Sequence, residues 1–151
     1  EMDDFSIKPG VPNMYGAVGG EANAIKAGKR MLSSMTPTLV LKDGKPYIVV
    51  GTPGGTTIPT QVFQTLVNIL EFNMSTEDAV YKPKFHHQWL PDEVMIEKGF
   101  PVAVKEAMQK MGYNFSRERG GIGRTECIRV LPNGKFEAVA DNRGDDAAEG
   151  Y

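Results

Sequence analysis

An Asp-Gly pair at positions 43–44 stands between two β-prone segments, and it constrains the fold more than any other feature of this sequence. The apolar segments on either side cover residues 38–41 and 47–50. Both positions of a two-residue hairpin turn need positive φ, a conformation that Asp and Gly tolerate. The sequence therefore predicts a tight hairpin in which Lys42 faces Lys45.

Two adjacent serines, Ser33 and Ser34, precede the first predicted strand, and a Pro-Gly-Gly turn follows the second strand at residues 53–55. An antiparallel pair that keeps its register pairs residues whose numbers sum to the same value along the whole hairpin. We therefore expect the hairpin to bring both serines beside Pro53 and Gly54, at one end of the sheet.

Apolar residues at helical spacing follow the 53–55 turn and predict a helix over residues 58–72. Thr56 or Thr57 is the expected N-cap of this helix. A strand that passes through a glycine-rich turn into a helix leaves backbone N–H groups unpaired and pointing outward. The 53–55 turn is therefore a candidate site for an anion or a developing oxyanion.

The composition of the chain limits the classes of protein to which it can belong. A length of 151 residues suits a single domain with a moderate core. A net charge of -2 gives no reason to expect nucleic acid or an anionic membrane as a partner, and no apolar run has membrane-spanning length. The lone Cys127 excludes an internal disulfide and is interpreted as a small core residue.

The rest of the chain predicts a mixture of helices and strands. Ser75 caps a short helix that Pro83 ends, and a second helix covers residues 101–111. A strand is expected at residues 94–97, and a second hairpin at 127–131 and 136–140. The class is therefore mixed α and β. We interpret the acidic cluster near the C-terminus as a solvated segment; its members are Asp141, Asp145 and Asp146.

Three segments have two interpretations each. The acidic start, with Glu1, Asp3 and Asp4, is either a solvated end or a carboxylate pair for an ammonium group. The Gly- and Pro-rich loop at residues 9–20 is either a flexible linker or a lid anchored by Tyr15. Adjacent residues on an extended chain point to opposite sides, so the His-His pair at 86–87 is interpreted as structural and not as metal-binding.

Several motifs together resemble the small subunit of γ-glutamyltranspeptidases, which are N-terminal-nucleophile hydrolases. They are MDDFS at 2–6, KRMLSSMTPT at 29–38, GTPGG at 51–55, FHHQWLPDE at 85–93 and the closing GY. The resemblance implies an α+β fold that is part of a four-layer αββα sandwich. It also implies a large subunit from the same precursor as partner, no cofactor and no metal, and a periplasmic or extracellular location.

The resemblance assigns roles to individual residues. It implies that γ-glutamyl amides such as glutathione are cleaved, and that the acyl group passes to water, amino acids or peptides. A loop at 9–20 covers the cleft in family members that possess it. The residues with implied roles are Glu1 and Asp4 for the substrate ammonium group, Ser33 and Ser34 for its carboxylate, Gly54 and Gly55 for the oxyanion hole, and Tyr15 as the latch of the lid.

The family's nucleophile is a Thr at a processed N-terminus, which the resemblance places upstream of Glu1. We therefore expect residues 1–151 to be the C-terminal part of the catalytic small subunit. This sequence has Thr56-Thr57 where many members have Ser-Arg, and Met31 where many have Pro. Two alternatives remain open, a related acylase of glutaryl or cephalosporin amides and a non-catalytic anion-binding module.

Overall fold

A four-stranded antiparallel sheet with helices on one face organises the chain, and a two-stranded sheet lies beside it. The computed structural model describes residues 2–116 and 118–150. The order of strands in the larger sheet is β1-β2-β5-β6. The strands are β1 (Thr38–Lys42), β2 (Lys45–Gly51), β3 (Phe85–His86), β4 (Met95–Ile96), β5 (Glu126–Val130) and β6 (Phe136–Val139).

Within residues 2–116 and 118–150, three α-helices and three short 3-10 turns complete the architecture. The helices are α1 (Ile58–Leu70), α2 (Thr76–Tyr81) and α3 (Val102–Lys110), and the 3-10 turns are Met2–Asp4, Glu21–Asn23 and Gly55–Thr57. This mixture confirms the predicted α+β class. None of the helices in the described ranges has both the length and the apolar character that a membrane span needs.

The first hairpin forms where the Asp-Gly pair predicts it, with Lys42 opposite Lys45. The outward register, however, was predicted wrongly. A shift between Val40 and Leu41 leaves Tyr47 as an extra residue on β2. A bulge of this kind changes every pairing beyond it. The strand pairing ends at Thr38, so the serines at 33 and 34 lie outside the sheet and are not placed by its register.

The core lies between one face of the larger sheet and helices α1 and α2. The apolar stripe of α1 packs against β2, and α2 packs against β5, as expected for a sheet covered on one face. Cys127 is 2% exposed in this core, which confirms its predicted structural role. Burial raises the pKa of its thiol to about 11. The buried members are Ile48, Val50, Ile58, Val62, Ile69, Ala79, Val80 and Cys127.

The opposite face of the larger sheet carries a row of solvent-exposed apolar side chains. Leu39 is 56% exposed and Ile128 is 44% exposed, and Leu41 and Val49 are exposed to a similar extent. Side chains along a strand alternate between the two faces of the sheet, so these residues point away from the face that packs against the helices. Within the described residues, therefore, helices cover this sheet on one face only.

The local signals at helix ends and hairpins mostly hold. Ser75 accepts a hydrogen bond from the backbone of Asp78 and caps α2, and the second hairpin forms as predicted. Thr57 occupies the N-cap position of α1, but its hydroxyl does not cap the helix and instead donates to the carbonyl of Gly54 at 2.9 Å. The apolar stripe of α3 is not buried in this chain.

A buried ionic cluster joins α2, β4 and the C-terminal segment. The guanidinium of Arg143 donates two 2.6 Å hydrogen bonds to Glu97 and one of 2.8 Å to Asp141. It also donates to the carbonyl of Val80 at the end of α2. Asp141 is 2% exposed, so its interpretation as a solvated residue was wrong. Burial and the nearby guanidinium lower the pKa of Lys84, whose ammonium group donates to two carbonyls of α2, to about 8.

We predict that Arg143→Met destabilises the protein by about 3–5 kcal/mol, because it leaves two buried carboxylates without their cation. Arg124→Met is the matched control. Its guanidinium lies 3.5 Å from Asp145 and Asp146 at the surface, where such pairs contribute about 0–1 kcal/mol. Urea unfolding of both variants measures the difference. Equal losses of stability would contradict the importance of the buried cluster.

Candidate functional site

The 53–55 turn connects β2 to α1 and has a backbone that only glycine adopts without strain. Gly54 has φ 146° and Gly55 has φ 58°. Neither glycine N–H donates a hydrogen bond within the described residues. The turn thus presents two backbone donors at the start of a helix, an arrangement suited to an anionic oxygen.

The side chain of Gln61, on the first turns of α1, braces the 53–55 turn from both sides. Its Nε2 donates to the Thr57 hydroxyl at 2.5 Å, and its Oε1 accepts from the Thr52 hydroxyl at 3.0 Å. The Thr57 hydroxyl in turn donates to the carbonyl of Gly54. Gln61 is fully buried. Nothing in the sequence separates this glutamine from an ordinary surface residue, so its role was not predicted.

The 9–20 loop is an ordered small hairpin. Its ends approach each other at the bridge between Pro12 and Val18. The side chain of Asn13 accepts hydrogen bonds from the backbone N–H groups of Tyr15 and Ala17, at 2.9 and 3.0 Å. These bonds within the loop fix its tip, which carries Tyr15.

The ring of Tyr15 lies directly over Gly55. A Cβ atom on Gly55 would lie 2.7 Å from Cε1 of that ring, closer than any side chain tolerates. Two features therefore favour glycine at this position: the positive φ and the close approach of the aromatic ring. This contact brings the 9–20 loop onto the 53–55 turn.

A cavity of about 350 Å³ lies beside this contact and joins segments that are distant in sequence. Asp4, Ser34 and Thr56 all line it, together with residues of the 9–20 loop. Ser33 is exposed and does not line the cavity; its hydroxyl accepts a hydrogen bond from the N–H of Met35 at 3.3 Å. Glu1, which the resemblance pairs with Asp4, lies outside the described residues.

Asn23 holds the acidic start against the serine segment. Its Nδ2 donates to the carbonyl of Asp4, and its Oδ1 accepts from the N–H of Leu32 at 3.0 Å. One amide thus brings Asp4 near the residues that precede Ser33. Asparagine at this position has no distinguishing sequence signal, and it was not predicted.

The cavity and the turn together offer complementary chemistry. The carboxylate of Asp4 suits a cationic group, the hydroxyl of Ser34 suits a carboxylate, and the N–H groups of Gly54 and Gly55 suit a developing oxyanion. A zwitterionic amino acid with an acyl group at the end of its side chain matches this set.

The two adjacent histidines bond to different partners. His86 is buried between the Thr60 hydroxyl, at 2.8 Å, and the side chain of Gln88, at 2.9 Å. His87 lies 3.0 Å from Asp92 at the surface. Burial lowers the pKa of His86. Among residues 2–116 and 118–150, no cluster of three His, Cys, Asp or Glu side chains is arranged to hold a metal ion.

Comparison with known proteins gives consistent matches over the whole chain. A family model described as gamma-glutamyltranspeptidase matches residues 1–151. The glutathione hydrolase proenzyme of Escherichia coli (strain K12) is 47% identical over 152 residues, which cover 100% of this chain and 26% of that protein. The chain therefore spans 26% of the length of this curated relative.

Solved structures extend the match to three dimensions. A gamma-glutamyltranspeptidase variant from Helicobacter pylori superposes with a TM-score of 0.90 and 53% identity, covering 95% of this chain and 79% of that chain. The Pseudomonas nitroreducens gamma-glutamyltranspeptidase in complex with L-DON gives a TM-score of 0.91 and 42% identity, covering 100% and 79%.

We predict that Gly55→Ala destabilises the protein by at least about 1–2 kcal/mol, the cost of a left-handed conformation for a residue with Cβ. The clash with the Tyr15 ring adds to this cost. Gly51→Ala is the control, because Gly51 ends β2 without positive φ and no atom lies within 4 Å of the position that its Cβ would take. Thermal and urea unfolding of both variants provide the test. A Gly55→Ala variant as stable as Gly51→Ala would show that the turn is less constrained than its geometry indicates.

Proposed function

The chain belongs to the gamma-glutamyltranspeptidase family, and from that premise we propose that it supplies the substrate-binding wall and oxyanion hole of an enzyme that cleaves γ-glutamyl amides such as glutathione. One observation carries this proposal. Asp4 and Ser34 line the same cavity as Thr56, the residue that follows the 53–55 turn. The groups that would recognise an amino acid thus lie beside the groups that would stabilise an oxyanion.

The substrate would bind with its zwitterionic end in the cavity. Asp4, together with Glu1, would accept hydrogen bonds from the α-ammonium group. Ser34, which lines the cavity, would donate to the α-carboxylate, and Ser33 would donate to it from the adjoining exposed segment. Charge-assisted bonds of this kind are stronger than neutral ones. The γ-carbonyl would then face the 53–55 turn, and the N–H groups there would bind its oxygen as negative charge develops.

The reaction would proceed by acyl transfer through a covalent intermediate. The hydroxyl of a nucleophilic Thr outside these 151 residues would add to the γ-carbonyl while its own N-terminal amine takes the proton. The amine of the substrate would leave with that proton, and a γ-glutamyl ester would remain. Water or the amino group of an amino acid or peptide would then attack the ester, releasing the Thr hydroxyl. Each oxyanion donor would contribute about 2.7–4 kcal/mol of transition-state stabilisation.

The proposed partner is the large subunit of the same precursor. The Escherichia coli relative is named a proenzyme, and this chain covers 26% of it. The exposed apolar face of the larger sheet, at Leu39, Leu41, Val49 and Ile128, supports a further protein layer on that side, as in the αββα sandwich. A periplasmic or extracellular location is part of the same proposal.

The charge on Asp4 provides the test that separates glutamyl transfer from the glutaryl acylase alternative. Asp4→Asn keeps the size of the side chain and one acceptor oxygen but removes the charge. In the processed enzyme, the variant should lose about 1.5–3 kcal/mol in kcat/KM on a γ-glutamyl amide, because a bond to the ammonium group is weakened. On the matching glutaryl amide, which lacks the amine, it should lose little.

Asp3→Asn is the control for this experiment, because Asp3 is an exposed neighbour that does not line the cavity. It should leave both rate constants unchanged. If Asp4→Asn lowers kcat/KM equally on the two substrates, Asp4 supports the fold and does not bind the ammonium group of the substrate. A wild-type enzyme that prefers glutaryl amides would contradict the proposed function itself.

A second test concerns the two serines. Replacing both Ser33 and Ser34 by Ala should weaken substrate binding by roughly 1.5–3 kcal/mol for each donor lost to the carboxylate. The fold should persist, because neither serine belongs to the buried core. Steady-state kinetics and circular dichroism measure the two effects. Loss of turnover with unchanged substrate affinity would instead indicate a catalytic role for these hydroxyls.

A further inference from the structure

The side chain of Gln88 joins three parts of the candidate site. Its Nε2 donates to the backbone carbonyl of Tyr15, in the 9–20 loop, at 3.1 Å. Its Oε1 accepts from the hydroxyl of Thr56, which follows the 53–55 turn, at 2.7 Å, and lies 2.9 Å from Nε2 of buried His86. One amide group thus contacts the loop, the turn and the residue that anchors β3 to α1.

The neighbours of this amide determine its orientation. Nε2 faces two carbonyl oxygens, those of Tyr15 and Leu90, so the NH2 group must lie on that side. Oε1 then faces His86, and because it only accepts, Nε2 of the imidazole must carry a hydrogen. Burial lowers the pKa of His86. Its Nδ1 lies 2.8 Å from the hydroxyl of Thr60, on α1, and that hydroxyl also donates to the carbonyl of Thr57. A continuous series of hydrogen-bond contacts therefore runs from Thr60 on α1 through His86 and Gln88 to the loop.

The 9–20 loop has few other hydrogen bonds to the rest of the chain. The bonds of Asn13 to Tyr15 and Ala17, and the backbone bond from Gly10 to Gly19, lie within it and determine its shape. At its ends, the loop bonds to the adjoining residues Lys8 and Asn23. Within the described residues, Asn13 also donates to the carbonyl of Asp3 at 3.3 Å. The contact with Gln88 is the hydrogen bond that attaches the tip of the loop beside the 53–55 turn.

We propose that Gln88 is a positioning residue, whose amide fastens the 9–20 loop at Tyr15 to the turn that presents the Gly54 and Gly55 N–H groups. The loop stays closed over the cavity while this amide bonds to both sides. The kinetic consequence rests on the proposed function, since the two N–H groups would act on the oxyanion. The structural consequence, attachment of the loop, does not depend on any reaction.

The test uses the full-length processed enzyme and the isosteric variant Gln88→Glu. The new oxygen faces two carbonyls and cannot donate, so two hydrogen bonds are lost while the acceptor toward Thr56 remains. Under native conditions, chymotrypsin should cleave the folded Gln88→Glu variant after Tyr15 roughly tenfold faster than it cleaves the wild type, because the loop opens more often. In activity assays kcat should fall roughly tenfold with a smaller change in KM, as expected when transition-state donors are misplaced.

Gln64→Glu is the matched control. The Gln64 amide also donates to two carbonyls, those of Thr60 and Phe85, but it does not contact the 9–20 loop or the 53–55 turn. This variant should lower the melting temperature without speeding cleavage after Tyr15. If cleavage after Tyr15 is accelerated equally in both variants, Gln88 contributes only to general stability and the proposal is overturned.

A second pair of variants tests the hydrogen bond between Thr56 and Gln88 from the side of Thr56, and it is used if Gln88→Glu does not fold. Thr56→Val removes the hydroxyl that donates to Gln88, whereas Thr56→Ser keeps it. Faster cleavage and lower kcat in the valine variant than in the serine variant support the proposal; no difference between the two variants overturns it.

The two readouts keep this inference separate from the proposed function. If the wild-type enzyme does not cleave γ-glutamyl amides, the proposed function fails, and faster proteolysis of Gln88→Glu still supports the attachment of the loop. If the wild type is active and folded Gln88→Glu matches it in both proteolysis and kcat, the inference alone fails.

Discussion

The geometry of the site depends on the buried ion pair between Arg143 and Glu97. Both carboxylate oxygens of Glu97 accept from the guanidinium, and one also accepts from the N–H of Ile122. The next residue, Gly123, lies so close to the amide of Gln61 that any Cβ there would overlap it. Because unpaired buried charges are costly, this cluster holds the backbone at Ile122 and Gly123 against Gln61, and the Gln61 amide in turn bonds to Thr52 and Thr57 on either side of the 53–55 turn.

Local chemistry made much of the fold predictable from the sequence. The Asp-Gly turn, the Ser75 cap and the two hairpins depend on residues within a few positions of one another, and all were confirmed. The register beyond Val40 was not predictable, because the bulge at Tyr47 depends on how the strand packs. Asp141 was misjudged for a similar reason: Thr125, whose N–H donates to its carboxylate, meets it only in the folded chain.

The supporting amides of the site were the main features that the sequence did not reveal. Gln61, Gln64 and Gln88 each use both ends of the amide, as donor and as acceptor. Glutamine is mostly exposed in proteins, so composition alone assigns it to the surface. Gly54, Gly55 and Tyr15 could be singled out from the sequence, because a glycine pair marks a turn and an aromatic residue stands out in a Gly- and Pro-rich loop. The role of a glutamine amide depends on which groups surround it in the fold, and the sequence does not show them.

The Thr56-Thr57 pair, which replaces the family's usual Ser-Arg, can now be interpreted from its contacts. The Thr57 hydroxyl accepts from Gln61 and donates to the carbonyl of Gly54, and the Thr56 hydroxyl donates to Gln88. Both hydroxyls therefore stabilise the turn and its link to the 9–20 loop. The Arg of the Ser-Arg pair would act on charged groups through space, so its absence at position 57 leaves these hydrogen bonds intact. Under the proposed function, the departure should therefore alter which acceptors or leaving groups the cleft favours, while the geometry of the Gly54 and Gly55 N–H groups is preserved.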